Sequence, residues 1–325
     1  MVGVIGLAPS YAALATEWIA SVHEALTGFF TTVVQGGAFA EDRWERPGGG
    51  GGVTRVLIEG ETFEKAGVNR SAVEGVLEPG MAARLALNGV PPAGSRFFAT
   101  GVSVVAHPRS PMVPTVHLNV RYFELTTPEG EAFDAWFGGG TDLTPTYPFA
   151  DDAFHFHRTL AAACERHNPE FYPRFKAWCD DYFRNLHRDG EARGVGGVFF
   201  DHLRAGGETG LALEELRAFV DSIGRILPAA YGPIVERRRA LRYGERERRL
   251  QLYRRGRYAE FNLLHDRGTS FGLSSGARAE SVLMSMPPLA RWDYAPEFAP
   301  GSIEAELQAM LAPRDWARFD KNPGA

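Results

Sequence analysis

An alternation of apolar and polar side chains over residues 115–125 is the most regular pattern in this chain. A period of two is typical of a strand with one buried face, and the polar positions that share the other face are His117, Asn119 and Arg121. A Thr-Pro-Glu-Gly turn follows, and a second predicted strand runs into Gly138-Gly139-Gly140, shortly before Asp142. The pattern predicts a hairpin that presents an imidazole, an amide, a guanidinium and a carboxylate. A hairpin with an ordinary solvated face is the structural alternative.

The same periodicities, read along the rest of the chain, predict strands, then helices, then strands again. We expect helices over 9–29, from Asp151, over 171–188 and twice within 211–248, and strands over 53–58, 97–107, 134–138, 194–200, 257–265 and 280–286. The order lacks the regular strand–helix alternation of a doubly wound fold. It therefore favours an α+β fold with a large, mostly antiparallel sheet, and no linker or repeat divides the chain.

Composition places the chain among globular proteins, since its 325 residues are 44% hydrophobic and 23% charged. Glu17, His23 and Glu24 interrupt the apolar N-terminal stretch, so we expect an amphipathic helix there, with no signal peptide and no membrane span. Cys164 and Cys179 lack the spacing of a zinc site and are expected to be reduced thiols. These features predict a cytoplasmic protein.

Arginines crowd residues 237–257, although the net charge is −5. A cluster of this kind is read either as a nucleic-acid footprint or as a salt-bridged helix. Glu236, Glu245 and Glu247 intersperse the arginines, which favours the helix, and we expect no nucleic-acid partner.

Histidines form a second group of candidates. If strands 97–107 and 115–125 pair, Ser103 and His107 join the polar wall of the hairpin. The spacing of His107, His117, His157 and His187 matches no compact metal motif, so a divalent metal and separate hydrogen-bonding roles both stay open. An iron site made of two of these histidines and Asp142 also stays open.

The glycine runs carry no phosphate-binding or dinucleotide fingerprint, so no organic cofactor is expected. Arg278 ends a small-residue loop, and a guanidinium there can hold a carboxylate by two hydrogen bonds. Arg121 and Arg278 together indicate an anionic ligand.

Long blocks of the chain, between about residues 40 and 295, closely resemble the oxygen-dependent coproporphyrinogen III oxidases; three of them are GVSVVAHPRSPMVPTVHLNVRYFE, WFGGGTDLTPTYPFADDAFHFHR and YGERERRLQLYRRGRYAEFNLLHDRGTSFGLSSGAR. The resemblance implies oxidative decarboxylation of two propionates of coproporphyrinogen III, giving protoporphyrinogen IX, with dioxygen as co-substrate. It implies a single domain over residues 1–325, with a sheet flanked by helices on both sides, and a homodimer joined through about residues 258–293.

By position, the resemblance also assigns roles. The substrate-contacting segments fall on Ser103, Asn119, Val120, Arg121, Gly276, Ala277 and Arg278. His117 matches the family's proposed proton donor, and Asp142 matches a carboxylate thought to hold pyrrole N–H groups. The histidines proposed to bind a divalent metal match His107, His117, His157 and His187. The chain departs from the family pattern at Ala277, where glycine is frequent, and at His202, where an acidic residue is expected.

The residues agree with this chemistry, because two arginines suit a substrate with four propionates and a reduced tetrapyrrole can itself give electrons to dioxygen. Two other classes stay open. A non-catalytic tetrapyrrole carrier needs the arginines but not Asp142, whereas a nonhaem iron oxygenase needs the histidines and a bound metal.

Overall fold

The computed structural model describes residues 11–83, 85–274 and 278–318. Its strands are β1 (Ala40–Glu45), β2 (Gly50–Ile58), β3 (Phe63–Val76), β4 (Arg96–Pro108), β5 (Thr115–Thr126), β6 (Ala132–Thr144), β7 (Arg184–Asn185), β8 (Glu191–Ala192) and β9 (Gly196–Leu203). Its α-helices are α1 (Ala12–Val33), α2 (Pro79–Ala82), α3 (Ala150–Glu165), α4 (Phe171–Tyr182), α5 (Leu213–Gly224), α6 (Leu227–Ala230), α7 (Gly232–Arg238), α8 (Glu245–Leu264), α9 (Arg267–Ser274), α10 (Ala279–Leu283) and α11 (Ile303–Met310).

Within these residues, seven strands form one sheet in the order β1-β2-β3-β4-β5-β6-β9, and β7 pairs with β8. Each pair of neighbouring strands in the sheet is antiparallel. The predicted α+β class with a mostly antiparallel sheet is therefore confirmed. Most neighbours in the sheet are also neighbours in sequence, because antiparallel strands need only short connections.

One face of the sheet packs on helices of the main hydrophobic core. Helix α1 buries a stripe at helical spacing that includes Ala15, Ile19, Val22 and Leu26, as the predicted amphipathic helix requires. This stripe meets the apolar positions of β4 and β5, such as Val104 and Leu118, together with side chains of α3, α5 and α6.

The opposite face is called here the polar face, because it carries Ser103, His117, Asn119 and Arg121. The end of α4, helix α8 and helix α10 lie over it: Phe183 and Phe261 pack with Phe199 of β9, and Met284 lies against Gly67 of β3. Helices thus cover both faces of the sheet, as expected.

The predicted strands over 257–265 and 280–286 are wrong, because helix α8 runs to Leu264 and helix α10 covers Ala279–Leu283. The apolar run Phe261–Leu264 ends the long helix α8, which begins where Glu247 accepts the Gly244 N–H at 2.7 Å. Buried arginines occupy inward-facing positions of this helix, so apolar residues do not recur there at helical spacing. Arg254 pairs with Glu191, and Arg255 pairs with Glu64 at 2.5 Å, as in the salt-bridged interpretation of this region.

Other boundaries also differ from the predictions. Strands β1 and β3 carry no regular apolar alternation and were not predicted, although β3 has fourteen residues. Helix α4 ends at Tyr182 rather than near residue 188, since a short strand and a 3₁₀ turn over Leu186–Arg188 follow it. The predicted pair of helices within 211–248 is divided among α5, α6, α7 and the start of α8.

Candidate active site

The register of the sheet aligns polar residues from several strands into rows across the polar face. Ser103 of β4 lies opposite Asn119 of β5, and Val105 lies opposite His117. On the other side of β5, His117 lies opposite Asp142 and Arg121 lies opposite Gly138. The predicted pairing of these strands is confirmed, and it brings the candidate residues of β4, β5 and β6 together.

Asp142 is almost completely buried, with 1% of its surface exposed. Its Oδ1 accepts a hydrogen bond from His117 Nδ1 at 2.8 Å, and its Oδ2 accepts one from Arg193 Nη2 at 2.6 Å. Burial alone would raise the pKa of Asp142, but the Arg193 guanidinium and the His117 hydrogen bond outweigh it and lower that pKa below its ordinary value. The carboxylate therefore stays ionised, and both of its oxygens already have partners.

Arg193 is a site residue that the sequence did not reveal. Three aromatic rings surround its guanidinium, whose carbon lies 4.0 Å from the centroid of Phe183, 4.7 Å from Tyr258 and 4.9 Å from Phe261. Such rings attract a cation, and Nη1 also donates to Asn262 at 2.9 Å. Arg193 lies in the short link between β8 and β9, in a Gly-rich run, and nothing in its local pattern marks it as functional.

A series of hydrogen bonds continues from His117 along β5. Asn119 Nδ2 lies 3.2 Å from His117 Nε2, and Arg121 Nη1 donates to Asn119 Oδ1 at 3.1 Å. The Asp142 carboxylate can only accept, so this network puts the His117 proton on Nδ1 and leaves Nε2 as an acceptor. At the far end, Arg121 Nη2 lies 3.0 Å from Asp201 Oδ2.

The substrate-contacting candidates fall into three groups. Ser103, Asn119 and Arg121 are half-buried on the polar face, in positions that a bound molecule can reach. Val120 points to the opposite face and is fully buried in the core, so only its backbone is available to the polar face. Gly276 and Ala277 lie outside the described residues.

Arg278 lies at the opposite end of the polar face from Arg121. Its Nη1 is 2.7 Å from Asp42 of β1, and the row that contains Asp42 continues through Thr54 and Asn69 to Ser103. Strands β1 and β5 are four strands apart, which corresponds to about 19 Å of sheet at 4.7–4.9 Å per strand. The two arginines therefore bracket a broad surface rather than a single carboxylate.

The four candidate metal histidines do not come together. His107 Nε2 donates to the Ser285 carbonyl at 2.9 Å, and His157 Nε2 donates to the Val195 carbonyl at 3.0 Å from inside the helical layer. His187 lies near the surface between His265 and Glu260, at 2.7 and 3.0 Å.

Over residues 11–83, 85–274 and 278–318, no group of three or more His, Cys, Asp or Glu side chains is arranged to hold a metal ion. The four histidines therefore do not fit a shared metal centre.

Comparison with known proteins places the chain in a family. The profile of the coproporphyrinogen III oxidase family matches residues 15–316. The chain belongs to this family. It is 52% identical, over 286 residues, to the oxygen-dependent coproporphyrinogen-III oxidase of Drosophila melanogaster, and the match covers 86% of this chain and 72% of the relative. The resemblance carried by the sequence blocks is thus confirmed.

The matched region contains every described strand of the sheet and therefore the whole polar face. In the part of the chain that the structure describes, no helix combines the length and the apolar character needed to cross a bilayer. The two cysteines, Cys164 and Cys179, are free and buried, as expected for reduced thiols.

Proposed function

We propose that this chain oxidatively decarboxylates two propionates of coproporphyrinogen III to vinyl groups, giving protoporphyrinogen IX in haem biosynthesis, with dioxygen as co-substrate. The observation that carries the proposal is the hydrogen-bonded series from Arg193 through Asp142, His117 and Asn119 to Arg121 on a half-open polar face. The series combines the Arg121 guanidinium, which suits a carboxylate, with His117 Nε2, which can accept a proton. The chain also belongs to the coproporphyrinogen III oxidase family.

The chemistry at each propionate balances without an organic cofactor. The bond between the carboxylate and its neighbouring carbon breaks and releases carbon dioxide, and the carbon next to the ring loses one hydrogen. Each propionate gives up two electrons and one proton, and the electrons pass to dioxygen. The protein supplies orientation, charge and a place for the proton.

Arg121 and Arg278 hold propionates at the two ends of the polar face, while Ser103 and Asn119 supply hydrogen bonds between them. A guanidinium suits this role because its planar fork matches a carboxylate. The backbone of Val120 and residues Gly276 and Ala277 complete the predicted contacts.

His117 accepts or returns a proton at Nε2, the nitrogen that faces along strand β5 toward Asn119. Asp142 keeps the imidazole in this orientation and stays ionised beside Arg193. A direct contact between Asp142 and pyrrole N–H groups is a further part of the proposal, and it requires the groups that bury Asp142 to move.

The decisive experiment is aerobic incubation of the purified chain with coproporphyrinogen III, followed by chromatography of the products. We expect protoporphyrinogen IX and carbon dioxide. Recovery of bound but unchanged substrate would instead indicate a carrier, and turnover only after addition of iron would indicate a nonhaem iron oxygenase.

A homodimer joined through part of residues 258–293 is proposed as well. The described parts of this segment are the end of α8, α9, α10 and the loop after α10, rather than a strand pair. Phe261 is buried within the chain's own core, but Leu264, Leu289 and Trp292 are 64%, 56% and 57% exposed. In the proposed dimer the same segment of a second copy covers these side chains, since a two-fold dimer buries the same patch of both subunits. Sedimentation equilibrium at micromolar concentration tests the dimer, and Leu264→Glu is expected to give a monomer.

We also propose that residues 1–325 form one domain in a cytoplasmic protein. In support, the N-terminal helix α1 and the C-terminal helix α11 both contribute to the same hydrophobic core. Free, buried cysteines are usual in a reducing compartment.

A further inference from the structure

We propose that Asp201 is a positioning residue of this site: together with Asn119 it fixes the plane of the Arg121 guanidinium, so that a substrate carboxylate meets donors that are already aligned. The inference rests on the proposed function, because it requires a ligand that carries carboxylates. Asp201 was not among the candidates from the sequence, where it is one acidic residue at the end of an apolar run.

Alternation along β9 places Asp201 on the polar face with Phe199, and a bulge begins directly after the regular pairing at Phe200. Phe200 lies opposite Gly139 and Leu203 lies opposite Phe137, so three steps along β9 match only two along β6. The extra residue is taken up at Asp201 and His202, and His202 adopts a left-handed conformation with φ of 52°. Its backbone N–H donates to Asp201 Oδ1 at 3.0 Å, which fixes the carboxylate.

Gly138 leaves the space in which Asp201 and Arg121 meet. A Cβ at residue 138 would lie 2.6 Å from Asp201 Oδ1 and 2.7 Å from Arg121 Nε, closer than atoms of these types approach. The strand, the bulge and the missing Cβ therefore act together to seat this ion pair. Gly138 therefore contributes to the site by leaving room for the ion pair, and not only by allowing strand β6 to bend.

Asn119 and Asp201 hold the guanidinium from two sides. Nη1 donates to Asn119 Oδ1 at 3.1 Å, and Nη2 lies 3.0 Å from Asp201 Oδ2. A guanidinium has five N–H donors, so these two contacts leave donors for a substrate carboxylate. The Arg121 side chain is 38% exposed, which keeps it open to a ligand.

Asp201 aids binding by orienting the Arg121 guanidinium and not by increasing its attraction for a carboxylate, because Asp201 offsets much of the charge of Arg121. The pKa of Asp201 is lowered by Arg121 despite burial, so the carboxylate is ionised at neutral pH. An arginine that is already held in one plane loses less side-chain freedom when a ligand binds, and preorganisation of this kind increases affinity. Asp142 does not take this role, since it lies opposite His117 rather than Arg121 and pairs with His117 and Arg193.

The test is a double-mutant cycle of Asp201→Asn and Arg121→Lys, read by the binding of coproporphyrin III, the fluorescent oxidised form of the substrate. We expect Asp201→Asn to weaken binding by about 3- to 10-fold, the scale of one neutral hydrogen bond. KM for coproporphyrinogen III should rise by a similar factor, and kcat should change less. The double variant should bind no more weakly than Arg121→Lys, because Asp201 acts through Arg121.

Additive losses in the cycle would show that Asp201 does not act through Arg121. Tighter binding by Asp201→Asn would show that it competes with the ligand instead. Either result overturns the proposal. If Asp201→Asn does not fold, Gly138→Ala replaces it: the added methyl group pushes Asp201 and Arg121 apart and should weaken binding in the same way, whereas unchanged affinity would contradict the proposal.

Asp152→Asn is the matched control, since Asp152 pairs with Arg238 at 2.9 Å in the helical layer, away from the polar face. It should lower thermal stability and leave the affinity for coproporphyrin III unchanged. Binding without turnover by the unmodified chain would refute the proposed function and still test Asp201 through affinity. Failure to bind coproporphyrin III at all would overturn both proposals.

Discussion

The two ends of the polar face hold their arginines in different ways. Arg121 lies within strand β5, between Asn119 and Asp201. Asn119 and His117 link it to the buried Asp142–Arg193 pair. Arg278 follows residues 275–277, precedes the short helix α10, and forms more exposed ion pairs with Asp42 and Glu280. A position inside a sheet is fixed by strand register, whereas a position before a short helix depends on how that helix packs. The β5–β6 end is therefore suited to chemistry, and the β1 end is suited to binding.

The largest expected effect is at the buried end of this comparison. Asp142→Asn should lower turnover by roughly 10²-fold or more, the scale of a positioned electrostatic group. The neutral amide holds His117 less strongly than the Asp142 carboxylate does. It also leaves Arg193 as a buried cation without its charge partner. Steady-state kinetics with coproporphyrinogen III measures the effect.

The same substitution should also destabilise the fold, because removing one partner of a buried ion pair typically costs about 3–5 kcal/mol. Urea unfolding of the variant must therefore accompany the kinetics, and rates are compared only at a temperature where the variant is folded. Near-normal turnover in folded Asp142→Asn would remove this carboxylate from the mechanism.

A comparison of Arg121→Lys with Arg278→Lys tests the difference between the two ends directly. Lysine keeps the charge but loses the planar fork, so Arg121→Lys should weaken substrate binding by about 1.5–3 kcal/mol, the range for hydrogen bonds to charged groups. Arg278→Lys should raise KM less, because its partners Asp42 and Glu280 are more exposed than Asp201 and solvent screens these ion pairs. Equal effects of the two variants would show that strand position gives Arg121 no advantage.

A third prediction contrasts the polar face with the helical layer behind it. Burial, with a smaller effect from Lys176, lowers the pKa of His157 to about 3. Since the unfolded chain binds a proton near pH 6.5 and the folded chain does not, stability is fully present above pH 6.5 and is lost as the pH falls toward 3. Between pH 7 and pH 5 this histidine should account for roughly 2 kcal/mol.

Urea unfolding at both pH values, for the unmodified chain and for His157→Gln, measures this contribution. We expect the pH-dependent loss to be smaller in the variant by about that amount. An identical pH dependence in the two proteins would mean that His157 is not held neutral in the folded state.

The smallest effect is expected from metal removal. Because His107, His157 and His187 each have separate hydrogen-bond partners, neither end of the polar face should depend on a metal for its geometry. Metal analysis of chelator-treated, active enzyme checks this. A stoichiometric metal whose removal abolishes activity, and whose return restores it, would contradict the prediction and give these histidines a shared role.

The sequence predicted the polar hairpin well because strand periodicity is a local property. The alternation over residues 115–125 places His117, Asn119 and Arg121 on one face whatever the strand pairs with, and the structure has them there. The same local reading failed for Phe261–Leu264. An apolar run of that length fits a strand or a buried helix end, and only the packing of α8 against Phe183 and Phe199 distinguishes them.

By itself the sequence determined the α+β class, the family and the composition of the β5 wall, since these depend on periodicity and on long specific blocks of residues. Tertiary structure decided which distant residues complete the wall. Arg193 reaches Asp142 across 51 positions of chain, and Asp201 of β9 reaches Arg121 of β5 across the intervening strand β6. Neither contact has a local signature, because ion pairing in a folded protein depends on the distance between side chains in space and not on their separation along the chain.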